Sequence, residues 1–206
     1  DEWQQAVTAP AEQLLSGRSL PLLAAKPSLA SLEGFLFPDT YRVYRTATPK
    51  EVIALQLTTL EGKVTPAMRA AMARNGKDFF AFLTMASIVE REVKTDEDRK
   101  LVADIFWRRL AENIPLQADA TLTYVLGKTS AQLTAGDLQY NSPYNTYRNR
   151  GLPPGPISNP GIASIAAAIT PTPNGYYYFL TDPATGKAVY ATTLEEHNVN
   201  KANYLK

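Results

Sequence analysis

One stretch limits what this chain can fold into: Phe79-Phe80-Ala81-Phe82-Leu83-Thr84-Met85-Ala86-Ser87-Ile88-Val89, followed at once by Glu90-Arg91-Glu92. It is apolar for about three helical turns. A helix apolar almost all round belongs inside a core, so the rest of the chain has to supply the partners that bury it. The first charge it carries out of that core is Glu90. A carboxyl set against apolar neighbours has its charged form disfavoured and its pKa raised. An acid that still holds its proton near neutral pH is what general acid catalysis requires. The plainer alternative is that Glu90 marks the point where a buried helix surfaces, and position alone favours it. Residues two apart on a helix point to nearly opposite sides, so only one of Glu90 and Glu92 can join an apolar cavity.

Composition narrows the chemistry. The chain has 206 residues, enough to bury a sizeable core, and a formal net charge of +1, so nothing points to nucleic acid as a partner. It has no cysteine and one histidine, His197. That excludes disulfide scaffolds, thiol nucleophiles and multi-histidine metal sites, and no cofactor or metal is expected. His197 itself reads as a surface helix residue. No run of about 18 apolar residues occurs, so no segment reads as a membrane span. The sequence opens in mid-pattern at Asp1-Glu2-Trp3, without methionine or leader. A membrane anchor is therefore expected to lie outside it.

Read in order, residues 1–31 form an N-terminal segment of mixed helix and loop, broken by Pro21 and Pro27. Tyr41-Arg42-Val43-Tyr44-Arg45 alternates like a strand. Thr48-Pro49-Lys50-Glu51 is a capping box with proline at the first helical position. Thr65-Pro66 opens a further helix that Gly76 closes, and Thr95 followed by Asp96-Glu97-Asp98 opens another. Asn159-Pro160 is expected to cap the helix of Ile162, Ile165 and Ile169. Two strands, 176–181 and 188–192, flank Asp182-Pro183-Ala184-Thr185-Gly186 as a hairpin. The fold class expected is α+β: a helical central part carrying the glutamate, short strands and a C-terminal β-hairpin.

A two-carboxylate glycosidase needs a partner for Glu90. Glu33, Asp39 and Asp119 are the candidates, each inside an unusual loop; turn chemistry explains Asp39 better and leaves Glu33 and Asp119 open. Residues 139–160 hold tyrosines, asparagines and prolines with no periodicity. Tyrosine rings present flat apolar faces, and asparagine amides both donate and accept, a composition suited to sugars. A loop packed by its own tyrosines is the equal alternative.

Taken in order, Leu32-Glu33-Gly34, Phe37-Pro38-Asp39-Thr40-Tyr41, Ala86-Ser87-Ile88-Val89-Glu90-Arg91-Glu92, Pro115-Leu116-Gln117-Ala118-Asp119, Ser142-Pro143-Tyr144-Asn145-Thr146-Tyr147 and Gly151-Leu152-Pro153-Pro154-Gly155-Pro156-Ile157 resemble the endolytic murein transglycosylases of the YceG-like (MltG) family. The resemblance runs from about Leu32 to the C-terminus and implies a catalytic domain over 32–206, with 1–31 as the tail of a LysM-like region. It implies cleavage between N-acetylmuramic acid and N-acetylglucosamine within peptidoglycan strands, leaving a 1,6-anhydro end. It implies action at the outer face of the bacterial cytoplasmic membrane, with peptidoglycan and the cell-wall synthesis machinery as partners. Glu90 falls at the family's catalytic glutamate. Gln117, Asp119, Ser142, Tyr144, Asn145 and Tyr147 are then expected to bind substrate, with Glu33, Tyr41 and Glu92 in support. Two departures stand out: Asp119-Ala120-Thr121 where the family often has Asp-Pro-Thr, and Gly186-Lys187-Ala188 where it often has a glycine-histidine pair.

One carboxyl suffices for such a reaction. It protonates the glycosidic oxygen and then takes the proton of the substrate's own C6 hydroxyl, an intramolecular nucleophile that replaces activated water. The rivals are a muramidase, in which Glu33 or Asp119 activates water and a reducing end results, and a glycan-binding module without turnover.

Overall fold

The glutamate-bearing helix forms as its sequence demands. Asp78 caps it, accepting the Ala81 N–H on Oδ1 at 2.8 Å. It runs Phe79–Glu92, with every residue from Phe82 to Val89 buried, and Val93 ends it in extended conformation. A computed structural model describes residues 2–9, 11–15 and 19–205 of the chain. Within them the helices are α1 (Glu2–Thr8), α2 (Ala11–Leu15), α3 (Pro49–Lys63), α4 (Pro66–Asn75), α5 (Phe79–Glu92), α6 (Asp96–Ala111), α7 (Asp119–Leu126), α8 (Ile162–Ile169) and α9 (Leu194–Tyr204). Strands β1 (Tyr178–Thr181) and β2 (Ala188–Ala191) pair antiparallel, Tyr178 opposite Ala191 and Thr181 opposite Ala188. The class is α+β, mostly helical.

The centre is α5, α6 and α8, which pack on one another. Ile88, Val102, Ile165 and Ala167 are fully enclosed there. α4 also packs on α8, and α9 lies against both strands. The Thr48–Glu51 capping box is present, Thr65 caps α4 by accepting from Met68 N–H, and Gly76 ends α4 at φ 67°. Leu14, Leu15, Leu22 and Leu23 share the apolar core with Leu57, Leu60 and Phe35. Among the described residues no helix is long and apolar enough to cross a membrane.

Two expectations fail locally. Residues 41–45 form no strand; Tyr44 is 87% exposed, and alternation without a neighbouring edge to pair with leaves the backbone in solvent. Asn159 does not cap α8, whose N-cap is Gly161. Its Oδ1 instead accepts from Gly34 N–H at 2.8 Å and Leu36 N–H at 3.1 Å. That clasp presses the 32–37 segment on the proline-rich loop. Gly34 sits at φ 89°, and a Cβ there would lie 2.5 Å from Pro156 Cγ. Phe35 stacks on Phe80 of α5, ring centroids 6.2 Å apart. Glu33 is thereby carried to the neighbourhood of the end of α5.

Candidate active site

The last turn of α5 sends its two glutamates in different directions. Glu90 Oε2 accepts from Ser164 Oγ–H at 2.7 Å and Gly161 N–H at 3.2 Å. Its Oε1 lies 3.9 Å from Arg99 Nη2. Glu90 therefore closes the N-terminus of α8, where free N–H groups and the helix dipole favour an anion. The apolar cavity expected around Glu90 is not there. Glu92 is the carboxyl that burial acts on instead. Its carboxyl is withdrawn from water beneath the start of α7, and Oε1 accepts from Ala120 N–H at 3.3 Å. Burial pushes its pKa up to about 7; Asp119 pushes the same way, while the Ala120 N–H and Arg91 oppose. A carboxyl balanced between acid and base at neutral pH can do both halves of a proton relay.

The floor beside Glu92 is rigidly built. Tyr147 Oη–H donates to Asp119 Oδ1 at 2.5 Å. Burial and that bond raise the Tyr147 pKa, so the phenol stays a donor and Asp119 an acceptor. Thr146 ties the loop to α7: Gln117 N–H donates to its carbonyl at 3.1 Å and Ala118 N–H to its Oγ1 at 3.0 Å. Gln117 holds φ 53°, a left-handed conformation that few side chains adopt. Its Oε1 accepts from Arg109 Nη2 at 2.8 Å. Arg109 is only 7% exposed; burial lowers its pKa, and its guanidinium carbon sits 5.8 Å from the Tyr178 ring centre. Tyr178 in turn stacks on His197 at 5.3 Å. His197 is thus an inward residue of α9, not the surface histidine expected, because α9 docks on the hairpin.

On the other side, Arg91 Nη2 donates to Thr123 Oγ1 of α7 at 3.3 Å. Arg91 acts electrostatically on both Glu92 and Glu33. Burial raises the Glu33 pKa and Arg91 pulls it down. Tyr124 and Tyr144 form a ring pair, centroids 5.2 Å apart and tilted by 46°. Glu33 raises the pKa of both phenols, secondary to their burial.

The structure therefore brings together Glu33, Glu92, Gln117, Asp119, Tyr144 and Tyr147, and it separates the others. Asn145 is fully buried. Its Nδ2 donates to the Leu138 and Tyr140 carbonyls and its Oδ1 accepts from Tyr147 N–H. It stitches the loop and has no free amide for a ligand. Ser142 Oγ accepts from Tyr144 N–H, bracing the same turn. Tyr41 Oη–H donates to Phe37 O at 2.7 Å, on the α3 side of the molecule near Lys63 and Thr59. Asp39 accepts its own neighbour's Thr40 N–H and pairs with Lys63, as turn chemistry implied. Arg91, Arg109, Tyr124 and Thr146 escaped the reading of the sequence. Arg91 and Tyr124 carried a readable signal, standing one residue from Glu92 and one turn beyond Ala120. Among the described residues no group of three or more His, Cys, Asp or Glu could hold a metal ion. A separate cavity of about 530 Å³ lies between α2, α3 and residues 42–47, where Glu51 is committed to its capping box.

Comparison with known proteins agrees with this architecture. The YceG-like family model matches residues 3–203. The chain is 39% identical over 174 residues to a Bacillus subtilis (strain 168) protein named endolytic murein transglycosylase, covering 84% of this chain and 48% of that one. A Streptococcus pneumoniae (serotype 2, strain D39) protein of the same name is 35% identical over 179 residues, covering 84% and 32%. The chain thus spans about half or less of the curated relatives' length. A crystal structure of a yceG-like protein from Listeria monocytogenes aligns with a TM-score of 0.82 at 35% identity, covering 97% of this chain and 66% of that one. A match from the first helix to the last, on the same arrangement of helices and hairpin, places this chain in the YceG-like family.

Proposed function

We propose that this chain carries the lytic transglycosylase activity of an endolytic murein transglycosylase, with Glu92 rather than Glu90 as the acid and then the base. The observation that supports it is the Glu92 carboxyl, desolvated to a pKa of about 7 beside Asp119. Glu92 gives its proton to the glycosidic oxygen as the C1–O bond between N-acetylmuramic acid and N-acetylglucosamine breaks. The resulting carboxylate takes the proton of the C6 hydroxyl as O6 closes on C1, and the 1,6-anhydro product leaves. No water is consumed. Asp119, held by Tyr147, faces the positive charge that develops on the reacting ring. Gln117, Tyr144 and Tyr147 line the path of the strand, and Ser142 acts through the turn it braces. The substrate is peptidoglycan, and the place of action is outside the cytoplasmic membrane, alongside the cell-wall synthesis machinery.

Asp119 beside Glu92 also favours a second reading, a muramidase in which Asp119 activates water. Digestion of purified peptidoglycan with mass spectrometry of the products separates them. Anhydro ends, lighter by one water than hydrolytic ends, are expected; reducing ends assign the muramidase. Glu92→Gln is expected to lower turnover by ~10²–10⁴-fold, the usual contribution of a general acid. Wild-type turnover in Glu92→Gln, or a loss of that size confined to Glu90→Gln, refutes the assignment.

A further inference from the structure

We propose that Glu33, Arg91, Tyr124 and Tyr144 form a second sugar-binding subsite flanking Glu92, which takes the next N-acetylated amino sugar of the strand. The inference rests on the glycan reading above and adds to it the residues that choose where along a strand the enzyme binds.

Glu33 is half-buried, and that burial raises the pKa of its carboxyl while leaving it open to solvent on one side. The backbone of the 32–37 segment that carries it is clasped by Asn159. A carboxylate so placed keeps lone pairs free to accept from a ligand's hydroxyl or N–H groups. Arg91 is the cation nearby, and its fork is oriented by Thr123. Beside them the tilted Tyr124–Tyr144 pair offers a shallow aromatic notch, with Tyr124 36% exposed. Tyr144 is held from behind: a Cβ on Gly155 would lie 3.2 Å from Phe80 Cζ and 3.6 Å from Tyr144 Oη. Aromatic faces take the apolar C–H face of a pyranose, and a carboxylate accepts from its hydroxyl or acetamido N–H. Glu33 acts electrostatically on both phenols and feels Arg91, and Arg91 stands next to Glu92 in sequence and acts on it too. An adjoining ring bound here would leave its glycosidic link facing Glu92.

The test uses the full chain and glycan strands freed of stem peptides by amidase treatment. Binding is measured by calorimetry in Glu92→Gln, which blocks turnover; KM and kcat are measured in the parent. Tyr124→Ala and Glu33→Gln are each expected to weaken binding about tenfold, the equivalent of ~1.4 kcal/mol. KM should rise by a similar factor while kcat at saturation stays near that of the parent, as for uniform binding. Tyr124→Phe, which keeps the ring, should retain the affinity. Melting temperatures identify any variant that is merely misfolded, and Tyr124 is exposed enough to truncate without a core cavity. Unchanged affinity in folded Tyr124→Ala and Glu33→Gln, or an equal loss in Tyr124→Phe, overturns the subsite while leaving the catalytic reading standing. Failure of Glu92→Gln itself to bind glycan, with no cleavage by the parent, overturns both.

Discussion

Glu92 should cost the fold stability at neutral pH and above, and the cost can be measured without any substrate. Its carboxyl titrates near 7 in the native state against an ordinary 4.5, chiefly because burial disfavours the charge. Between those values the native state binds a proton that the unfolded state has released. Stability therefore falls as pH rises from 4.5 towards 7, and below 4.5 both states hold the proton and the cost vanishes. At 1.36 kcal/mol per pH unit the full difference is ~3 kcal/mol at pH 8, an upper bound because relaxation and water penetration soften the burial of a charge. Glu92→Gln keeps the shape and an acceptor for the Ala120 N–H, and it never ionises. The variant is expected to be more stable than the parent at pH 8, with Tm higher by roughly 5–10 °C for a chain of this length. At pH 4 the two should melt together. Glu90→Gln should do the reverse at pH 8, losing about 1 kcal/mol as its contacts with Ser164, Gly161 and Arg99 lose their charge. Calorimetric scans of the three proteins at pH 4 and 8 decide the matter. A Glu92→Gln variant that is destabilised at pH 8, or stabilised equally at both, would show that the carboxyl is not held out of water and remove the basis of its acid role.

Other outcomes follow from neighbouring contacts. Ala120→Pro removes the N–H that Glu92 accepts within a first helical turn that tolerates proline. The alkaline limb of the activity profile, expected near pH 7 from Glu92, should move upward; a limb that stays put refutes the coupling. Tyr147→Phe leaves Asp119 without its phenol donor and should lower kcat more than it raises KM, measured by steady-state turnover of glycan strands. Asn145→Ala should cost on the order of 1–3 kcal/mol in urea unfolding, since the carbonyls of Leu138 and Tyr140 lose their donor. Once folded, that variant should bind glycan like the parent.

What the chain declares about itself is local. Thr48 and Glu51, Gly76, and Asp182 through Gly186 act on backbone a few residues away, so helix ends and the hairpin follow from spacing alone. The surroundings of Glu92, expected only in a supporting place, were not legible for the opposite reason. Because α5 is buried all round from Phe82 to Val89, apolar periodicity names no preferred face, and Glu90 and Glu92 look alike until α7 and α8 are in place. Asn145 and Asn159 misled in the same manner: a polar side chain in a loop rich in turn formers reads as free, but both are spent on main-chain groups distant in the fold or across the turn. His197 required the docking of α9, which nothing near it in sequence announces.

The Asn159 clasp also bears on timing. It joins residues 125 apart, so a chain made and delivered from its N-terminus displays the 32–37 segment long before the residue that secures it exists. Glu92 emerges in the meantime on a helix whose partner α8 is still to come, with neither Glu33 nor Tyr147 fixed beside it. Contacts of such separation form late. The proposed groove therefore takes shape only once the chain is present through Asn159 and α8, and a product truncated before them lacks the clasp on the 32–37 segment.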